Sequence, residues 1–123
     1  MTTPTIVRPG LITLAEQIRE EGGATWHNYR PAPVDGFLVS TVGHELTIPL
    51  AEFEGEDIWN YMLAKESATF GLDDLYFGAW IDGQLVYLDL SLHVQDRAEA
   101  LIFGRLGGQL AIWDVEKAEE IRL

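Results

Sequence analysis

Trp80-Ile-Asp-Gly-Gln-Leu-Val-Tyr-Leu-Asp-Leu-Ser-Leu-His-Val94 is the segment from which the fold of this 123-residue chain is best predicted. Asp82-Gly83 predicts a tight type I′ hairpin turn, because both central residues of that turn need positive φ. After the turn, every second residue from Val86 to Val94 is aliphatic, a period-two pattern that predicts a long β-strand with one buried face. The polar end of the opposite face carries Asp89, Ser91 and His93.

The residues that follow this strand predict a helix and a final strand. Asp96 with Glu99 three residues later is a capping-box-like start, and Gly107-Gly108 ends the helix. The predicted buried stripe of the helix consists of Ala98, Leu101, Ile102 and Leu106. Residues 109–115 predict the last strand, and residues 116–123 form an acidic tail with room for a short strand or turn. The pattern is compatible with a parallel crossover or an antiparallel return.

The upstream part of the chain predicts two more helices and three more strands. Residues 1–10 contain two Pro and three Thr, which predicts an extended N-terminal lead-in. The remaining predicted elements are a helix over 13–21, an irregular segment over 24–36, a hairpin of strands 37–42 and 46–50, a helix over 56–66, a loop over 67–74 and a buried strand over 75–81. Together these elements predict one α+β domain over residues 1–123. Its mostly antiparallel sheet would have four to six strands, with two or three helices packed on it.

Composition restricts the possible functions. Eight Lys and Arg against 20 Asp and Glu give a net charge of −12, which repels phosphate backbones and anionic lipid. We therefore expect neither direct nucleic-acid binding nor membrane binding. The chain has no Cys, which excludes disulfides, thiolate nucleophiles and Cys-based zinc sites. No signal peptide or membrane-spanning run is visible, so a cytoplasmic location is expected.

Asp89, Ser91 and His93 are the first candidate site, since they place an acid, a hydroxyl and an imidazole on one strand face. Alternate residues of a strand lie about 6.6–7 Å apart, too far for a direct Ser–His–Asp relay. The chain has no nucleophile-elbow motif, no phosphate-binding glycine loop and no metal-ligand spacing among its three His. No catalytic residue, metal or cofactor is therefore predicted. If the face is instead a pocket, these three residues would line it.

Two other groups are candidate binding residues. Trp26, Tyr29 and Arg30 combine the residue types that are enriched in interface hot spots, although a structural role, in which they tie their segment to the core, is favoured over binding. The second group is acidic and consists of Glu52, Glu54, Glu56 and Asp57. Helix capping and solvation also explain that group.

The last third of the chain resembles a group of small, uncharacterised proteins from actinobacteria and their phages and plasmids. The resemblance rests on Gly78-Ala-Trp-Ile-Asp-Gly, Val86-Tyr-Leu-Asp-Leu-Ser, Asp96-Arg-Ala-Glu-Ala and Gln109-Leu-Ala-Ile-Trp-Asp, and more loosely on Gly36-Phe-Leu-Val-Ser. It implies a phage or mobile-element setting and carries over no catalytic residues.

These observations favour a non-enzymatic, acidic interaction protein of phage or mobile-element origin that binds a protein partner with a basic surface. A particular form is a nucleic-acid mimic, or anti-defence factor, whose carboxylates stand where phosphates normally bind. One alternative is a small-ligand-binding protein or enzyme with a pocket at the Asp89/Ser91/His93 face. Another is a structural virion or assembly component, for which we expect a symmetric oligomer and an exposed apolar patch. The sequence leaves the oligomeric state open.

Overall fold

The computed structural model describes residues 4–123 and confirms the α+β fold class, with one antiparallel sheet and helices packed on it. The helices are α1 (Pro4–Glu21), α2 (Gly55–Ala64), α3 (Glu66–Thr69) and α4 (Arg97–Leu106), with a 3-10 turn at Leu50–Glu52. The strands are β1 (Gly23–Trp26), β2 (Phe37–Ser40), β3 (Leu46–Pro49), β4 (Leu75–Asp82), β5 (Leu85–Val94), β6 (Ala111–Asp114) and β7 (Glu119–Arg122). The sheet has seven strands, slightly more than predicted, in the order β1-β4-β5-β2-β6-β7, and β3 also pairs with β5.

The β4–β5 hairpin is confirmed and forms the centre of the sheet. Its register runs from Leu75 opposite Leu92 to Asp82 opposite Leu85. The connecting residues are therefore Gly83 and Gln84, one position later than the predicted Asp82-Gly83 turn. Of these two residues, only Gly83 has a positive φ, of 61°. A positive φ at the first central residue alone corresponds to a type II′ turn, so the predicted I′ type is wrong.

The predicted hairpin between residues 37–42 and 46–50 is wrong. Both β2 and β3 instead pair antiparallel with β5, β2 along 91–94 and β3 along 85–88. The two short strands therefore lie one after the other on the same side of β5. Residues 41–45 bulge out between them, with Gly43 at a φ of 83°. Strand β5 is ten residues long, which is enough to pair with both.

The structure shows how β6 runs relative to β5, which the sequence left open. Strand β6 pairs antiparallel with β2, and β2 is in turn antiparallel to β5. Strands β5 and β6 thus run in the same direction with β2 between them. The tail does add a strand, β7, which pairs antiparallel with β6.

The apolar side of β5 carries the core, as predicted. Val86, Leu88 and Leu90 are completely buried, and helices α1 and α2 pack against this half of the sheet. A second cluster joins α4 to Val39, Val94 and other residues of β2, β5 and β6. By strand alternation, Val94 lies on the same face as Leu90. The long helices therefore share one face of the sheet.

Three further predictions need correction. Residues 4–10, expected to be extended, are the first part of α1, while residues 1–3 of the predicted lead-in lie outside the described residues. The segment predicted as irregular over 24–36 begins with strand β1, which pairs with β4. The predicted loop over 67–74 overlaps the short helix α3.

The predicted buried stripe of α4 is also mostly wrong. The buried residues of this helix are Ala100 and Gly104, and Leu101 is half-buried. Ala98, Ile102 and Leu106 are exposed instead. The helix approaches the sheet closely through its small residues, since a Cβ atom at Gly104 would lie 2.7 Å from Leu123 Cδ1 and 2.9 Å from Ile112 Cγ2. Ile102 and Leu106 consequently face away from the core, while Leu101 packs at its edge.

Candidate functional site

Asp89 is the most buried carboxylate of the candidate residues, with only 3% of its surface exposed. It lies at the middle of β5, opposite the start of the bulge between β2 and β3. The hydroxyl of Ser40 donates a hydrogen bond to Asp89 Oδ2 over 2.7 Å. Burial raises the pKa of the Asp89 carboxyl; the Ser40 hydrogen bond opposes this effect and the nearby charge of Glu45 adds to it. Asp89 is thus a buried acid held by one hydroxyl.

Gly78 provides the space for this carboxylate. It faces Asp89 directly across the β4–β5 pair. A Cβ atom at Gly78 would lie only 2.7 Å from Asp89 Oδ1, so any larger residue there would displace the carboxyl group. A glycine inside an otherwise apolar strand is the sequence signal for this close approach.

The structure does not bring Asp89, Ser91 and His93 together as a relay. Within residues 4–123, Asp89 bonds to Ser40, whereas His93 Nε2 lies 2.8 Å from the carbonyl oxygen of Asp35. Ser91 is buried and faces Tyr76 on β4. The imidazole of His93 also packs edge-on against the Tyr76 ring, at 5.8 Å between ring centres. Asp89 and His93 are therefore each engaged by a neighbour from another segment.

Tyr29 and Arg30 come together, but Trp26 lies elsewhere. The Tyr29 hydroxyl donates to Asp73 Oδ1, and Arg30 Nη2 lies 3.3 Å from Asp73 Oδ2. The hydrogen bond to Asp73 raises the pKa of the Tyr29 hydroxyl. These contacts connect the segment after β1 to the start of β4, which is the structural role that the sequence left open for both residues.

Trp26 packs on the core side of the sheet. Its ring stacks on Phe77 with the ring centres 5.7 Å apart and the planes 17° apart. The indole Nε1 is buried and makes no hydrogen bond within the described chain. Trp26 is therefore a core residue, and it does not share the contacts that Tyr29 and Arg30 make with Asp73.

The acidic residues at the start of α2 have two different roles. Glu54 and Asp57 form a capping box, in which the Glu54 side chain accepts from the Asp57 backbone and Asp57 Oδ2 accepts from Glu54 N over 2.8 Å. Glu52 and Glu56 are exposed and take no part in this box. Capping therefore explains half of the predicted acidic group.

A cleft between α1 and the first turn of α2 brings further carboxylates to this region. It has a volume of about 320 Å³. We call it the acidic cleft, and its lining residues are Leu11, Ile12, Ala15, Glu16, Arg19, Glu54, Gly55 and Glu56. Leu11 and Ala15 are buried and form an apolar floor, while Glu16, Glu54 and Glu56 are exposed.

Close contact between two helix backbones forms this cleft. A Cβ atom at Gly55 would lie 3.0 Å from the backbone of Leu11, so α2 begins directly against α1. The guanidinium of Arg19 donates to the carbonyl oxygen of Phe53 and lies 5.4 Å from the centre of its ring. The sequence did not predict the α1 contribution, because nothing in the local pattern places Glu16 beside Glu54 and Glu56.

Other classes of site are not seen in the described part of the chain. Residues 4–123 contain no group of three or more His, Asp or Glu side chains placed to hold a metal ion. None of the helices over this range is long and apolar enough to cross a membrane. A second cavity of about 570 Å³ lies beside Arg30, Asp73 and Leu92. Neither this cavity nor the acidic cleft is lined by Asp89, Ser91 or His93.

Comparison of the chain with protein-family models, with curated proteins and with solved structures gives no match.

Proposed function

We propose that this protein is a non-enzymatic interaction protein that binds a basic protein partner at the acidic cleft. The observation that supports this function is the composition of the cleft, which combines an apolar floor with carboxylates from two helices. A Lys or Arg side chain of a partner could meet Glu16 while a neighbouring apolar side chain rests on Leu11 and Ala15. Such a surface is selective, because a partner needs both a positive charge and an apolar residue beside it.

The charge of the whole chain supports the same kind of partner. A net charge of −12 attracts a basic protein over distances beyond contact and accelerates the encounter. Ions screen this attraction, with a Debye length of about 10 Å at 0.1 M salt. We therefore expect the association rate to fall steeply as salt is added.

The more specific form of the proposal is that the protein imitates nucleic acid. Carboxylates along α1 and the start of α2 would occupy the phosphate sites of a host DNA-binding or defence protein. The resemblance to phage and mobile-element proteins favours this form, since such elements benefit from blocking host defences. Duplex DNA should then compete with this protein for the same partner, whereas a partner that binds both simultaneously would contradict the mimicry.

The test uses two double variants with equal changes in charge. Glu16→Gln/Glu56→Gln alters the acidic cleft and leaves the capping residues Glu54 and Asp57 in place. Glu116→Gln/Glu119→Gln removes the same charge near β7, at the opposite end of the strand order from β1. Each variant and the unmodified protein would be used to capture proteins from a cell extract at low and moderate salt.

The proposal requires a captured protein with a basic surface that the unmodified protein and the β7 variant retain and the cleft variant loses. Retention should also fall at moderate salt. Titration calorimetry with the purified partner would then measure each affinity, and thermal unfolding would confirm that both variants fold. Equal capture by both variants would show that the acidic cleft is not the binding surface.

A further inference from the structure

The outer edge of β7 is a row of backbone groups that no other strand of the described chain pairs with. Strand β7 is the last in the sheet order and pairs with β6 on one side. Glu119, Glu120 and Arg122 are exposed, and Ile121 is half-buried. We call the outer backbone and side chains of Glu119–Arg122 the β7 edge. A free strand edge of this kind is a template for pairing with a further strand.

The hydrogen bonds of β7 show which of its backbone groups point outward. The amide of Leu123 donates to the carbonyl oxygen of Leu110 over 3.0 Å, in the same register as the rest of the β6–β7 pair. In an antiparallel pair, residues that bond to the neighbouring strand alternate with residues that do not. Residues 119, 121 and 123 therefore bond towards β6. The amide and carbonyl groups of Glu120 and Arg122 point away from the sheet.

The side chains of Glu120 and Arg122 lie together on the helix-free face of the sheet. Ile121 between them packs against the core cluster under α4, and strand alternation places its two neighbours on the other face. Neither Glu120 nor Arg122 forms an ion pair in the described part of the chain. The β7 edge thus presents one negative and one positive side chain, two residues apart, beside unpaired backbone groups.

This order of charges is self-complementary in one antiparallel register. When a two-fold axis passes between the Ile121 residues of two copies, Glu120 of each copy lies directly opposite Arg122 of the other. Both residues of each pair carry outward backbone groups, so each pair exchanges both of its N–H···O=C hydrogen bonds. Directly opposite side chains have Cβ atoms about 4.5–5.5 Å apart, close enough for each Glu–Arg pair to attract. The two Ile121 side chains meet at the axis on the helix side.

Other registers lose charge pairing or hydrogen bonds. An axis at Glu120 would place two carboxylates opposite each other, and an axis at Arg122 would do the same with two guanidinium groups. Such like-charge pairs destabilise a strand pair. A shift by a single residue would place the outward groups of one copy opposite the inward groups of the other. The sequence of β7 therefore specifies its own partner and register.

The free edges of β3 and β1 lack these features. Leu50 N donates to Gln84 O over 2.8 Å, so the outward positions of β3 are Thr47 and Pro49. Proline has no amide N–H, and it commonly protects an edge strand from pairing. All four residues of β1 are half-buried, unlike the exposed residues of β7.

We propose that the β7 edge is a self-association surface, at which two copies of this chain join their sheets into one continuous antiparallel sheet. The contact is isologous, with the same residues on both sides. Pairing along a four-residue strand buries less than the roughly 1,200 Å² of stable complexes. The net charge of −12 on each copy also opposes association. The dimer is therefore weak and reversible and forms as the protein concentration increases.

A charge exchange followed by analytical ultracentrifugation tests the register. At about 0.15 M salt, where the Debye length is about 8 Å, the unmodified chain should show a monomer–dimer equilibrium. Glu120→Arg and Arg122→Glu should each raise its Kd about fivefold or more, because each change affects both symmetry-related pairs. The double variant should return the Kd to within about twofold of the original. Net charge does not explain this pattern, since the single variants change it in opposite directions and the double variant leaves it unchanged.

A second pair of variants tests the backbone contact. Glu120→Pro removes the outward amide, whereas Glu120→Thr is the matched control that removes the same charge and keeps the N–H. The Pro variant should have a Kd about fivefold or more above that of the Thr variant. The β6–β7 pair does not use this amide, so thermal unfolding should show that both variants fold.

Three results would overturn the proposal. The first is a chain that remains monomeric up to millimolar concentration. The second is a dimer with the same Kd in the Thr and Pro variants, since edge pairing needs the outward amide. The third is a double charge variant that dimerises more weakly than either single variant, which the register through Ile121 does not allow.

Discussion

Replacement of Gly78 by Ala tests whether this glycine exists to accommodate the carboxylate of Asp89. The new Cβ atom would lie 2.7 Å from Asp89 Oδ1, well inside the contact distance of carbon and oxygen. The backbone of Gly78 is not in the left-handed region, so alanine itself fits without backbone strain. The carboxyl group must therefore turn away, and the 2.7 Å hydrogen bond from Ser40 is lost or distorted.

The expected loss of stability follows from breaking the hydrogen bond between Ser40 and Asp89. Losing a hydrogen bond to a buried carboxylate costs about 2–3 kcal/mol, because the charge is left partly unsatisfied. Alanine restricts the unfolded chain more than glycine does, which returns about 0.5–1 kcal/mol. We expect a net loss of about 1–2 kcal/mol in the free energy of unfolding. For a domain of this size the loss corresponds to a decrease in Tm of about 3–10 °C.

A double-mutant cycle separates this mechanism from a general effect on the strand. Urea unfolding followed by tryptophan fluorescence would be measured for Gly78→Ala, Asp89→Ala and the double variant. Once Asp89→Ala has removed the carboxylate, Gly78→Ala should become neutral or slightly stabilising. An equal cost of Gly78→Ala in both backgrounds would refute the proposed contact.

Three other variants test separate parts of the structure. Burial raises the folded-state pKa of Asp89 above 3.8, so the ionised form costs stability. The unmodified protein should therefore gain stability relative to Asp89→Asn as pH falls from neutral through the raised pKa, and urea unfolding at several pH values measures this difference. Gly10→Ala should stabilise the protein by up to about 1 kcal/mol if residues 4–10 are helical, whereas an extended segment would give no such gain. Asp96→Ala removes the N-cap that accepts from Glu99 N over 2.9 Å and should cost about 1 kcal/mol in thermal unfolding.

The sequence predicted those elements whose local pattern and tertiary environment agree. The apolar face of β5 was predicted correctly, because Val86, Leu88, Leu90 and Val94 are buried and Leu92 is half-buried. The burial of Asp89 and Ser91 on the other face was not predicted. The start of α4 was also correct, because Asp96 makes the predicted capping bond. The predicted helix over 13–21 is part of α1, but the first part of that helix was missed because Pro9 and Gly10 are both unfavourable inside a helix.

The remaining errors arise where contacts distant in sequence decide the result. Two short strands with a glycine between them form a hairpin in most proteins, but here β5 is long enough to pair with both, one after the other. The buried stripe predicted for α4 was wrong because the large apolar residues of the helix were expected to be the buried ones. Close packing against Leu123 instead favours Gly104 at the contact, and it turns Ile102 and Leu106 outward. Likewise, Gly78 could be seen in the sequence, but its contact with Asp89 needs the register of two strands.

Salt separates an electrostatic contact at the acidic cleft from one that depends on apolar burial alone. Binding of a basic partner at the acidic cleft depends on attraction between unlike charges and should weaken as salt is added. A contact made mainly through the apolar floor of Leu11 and Ala15 would keep its affinity under the same conditions, because burial of apolar surface does not depend on screened charges. A partner that binds equally well at low and high salt would therefore contradict the proposed role of the carboxylates.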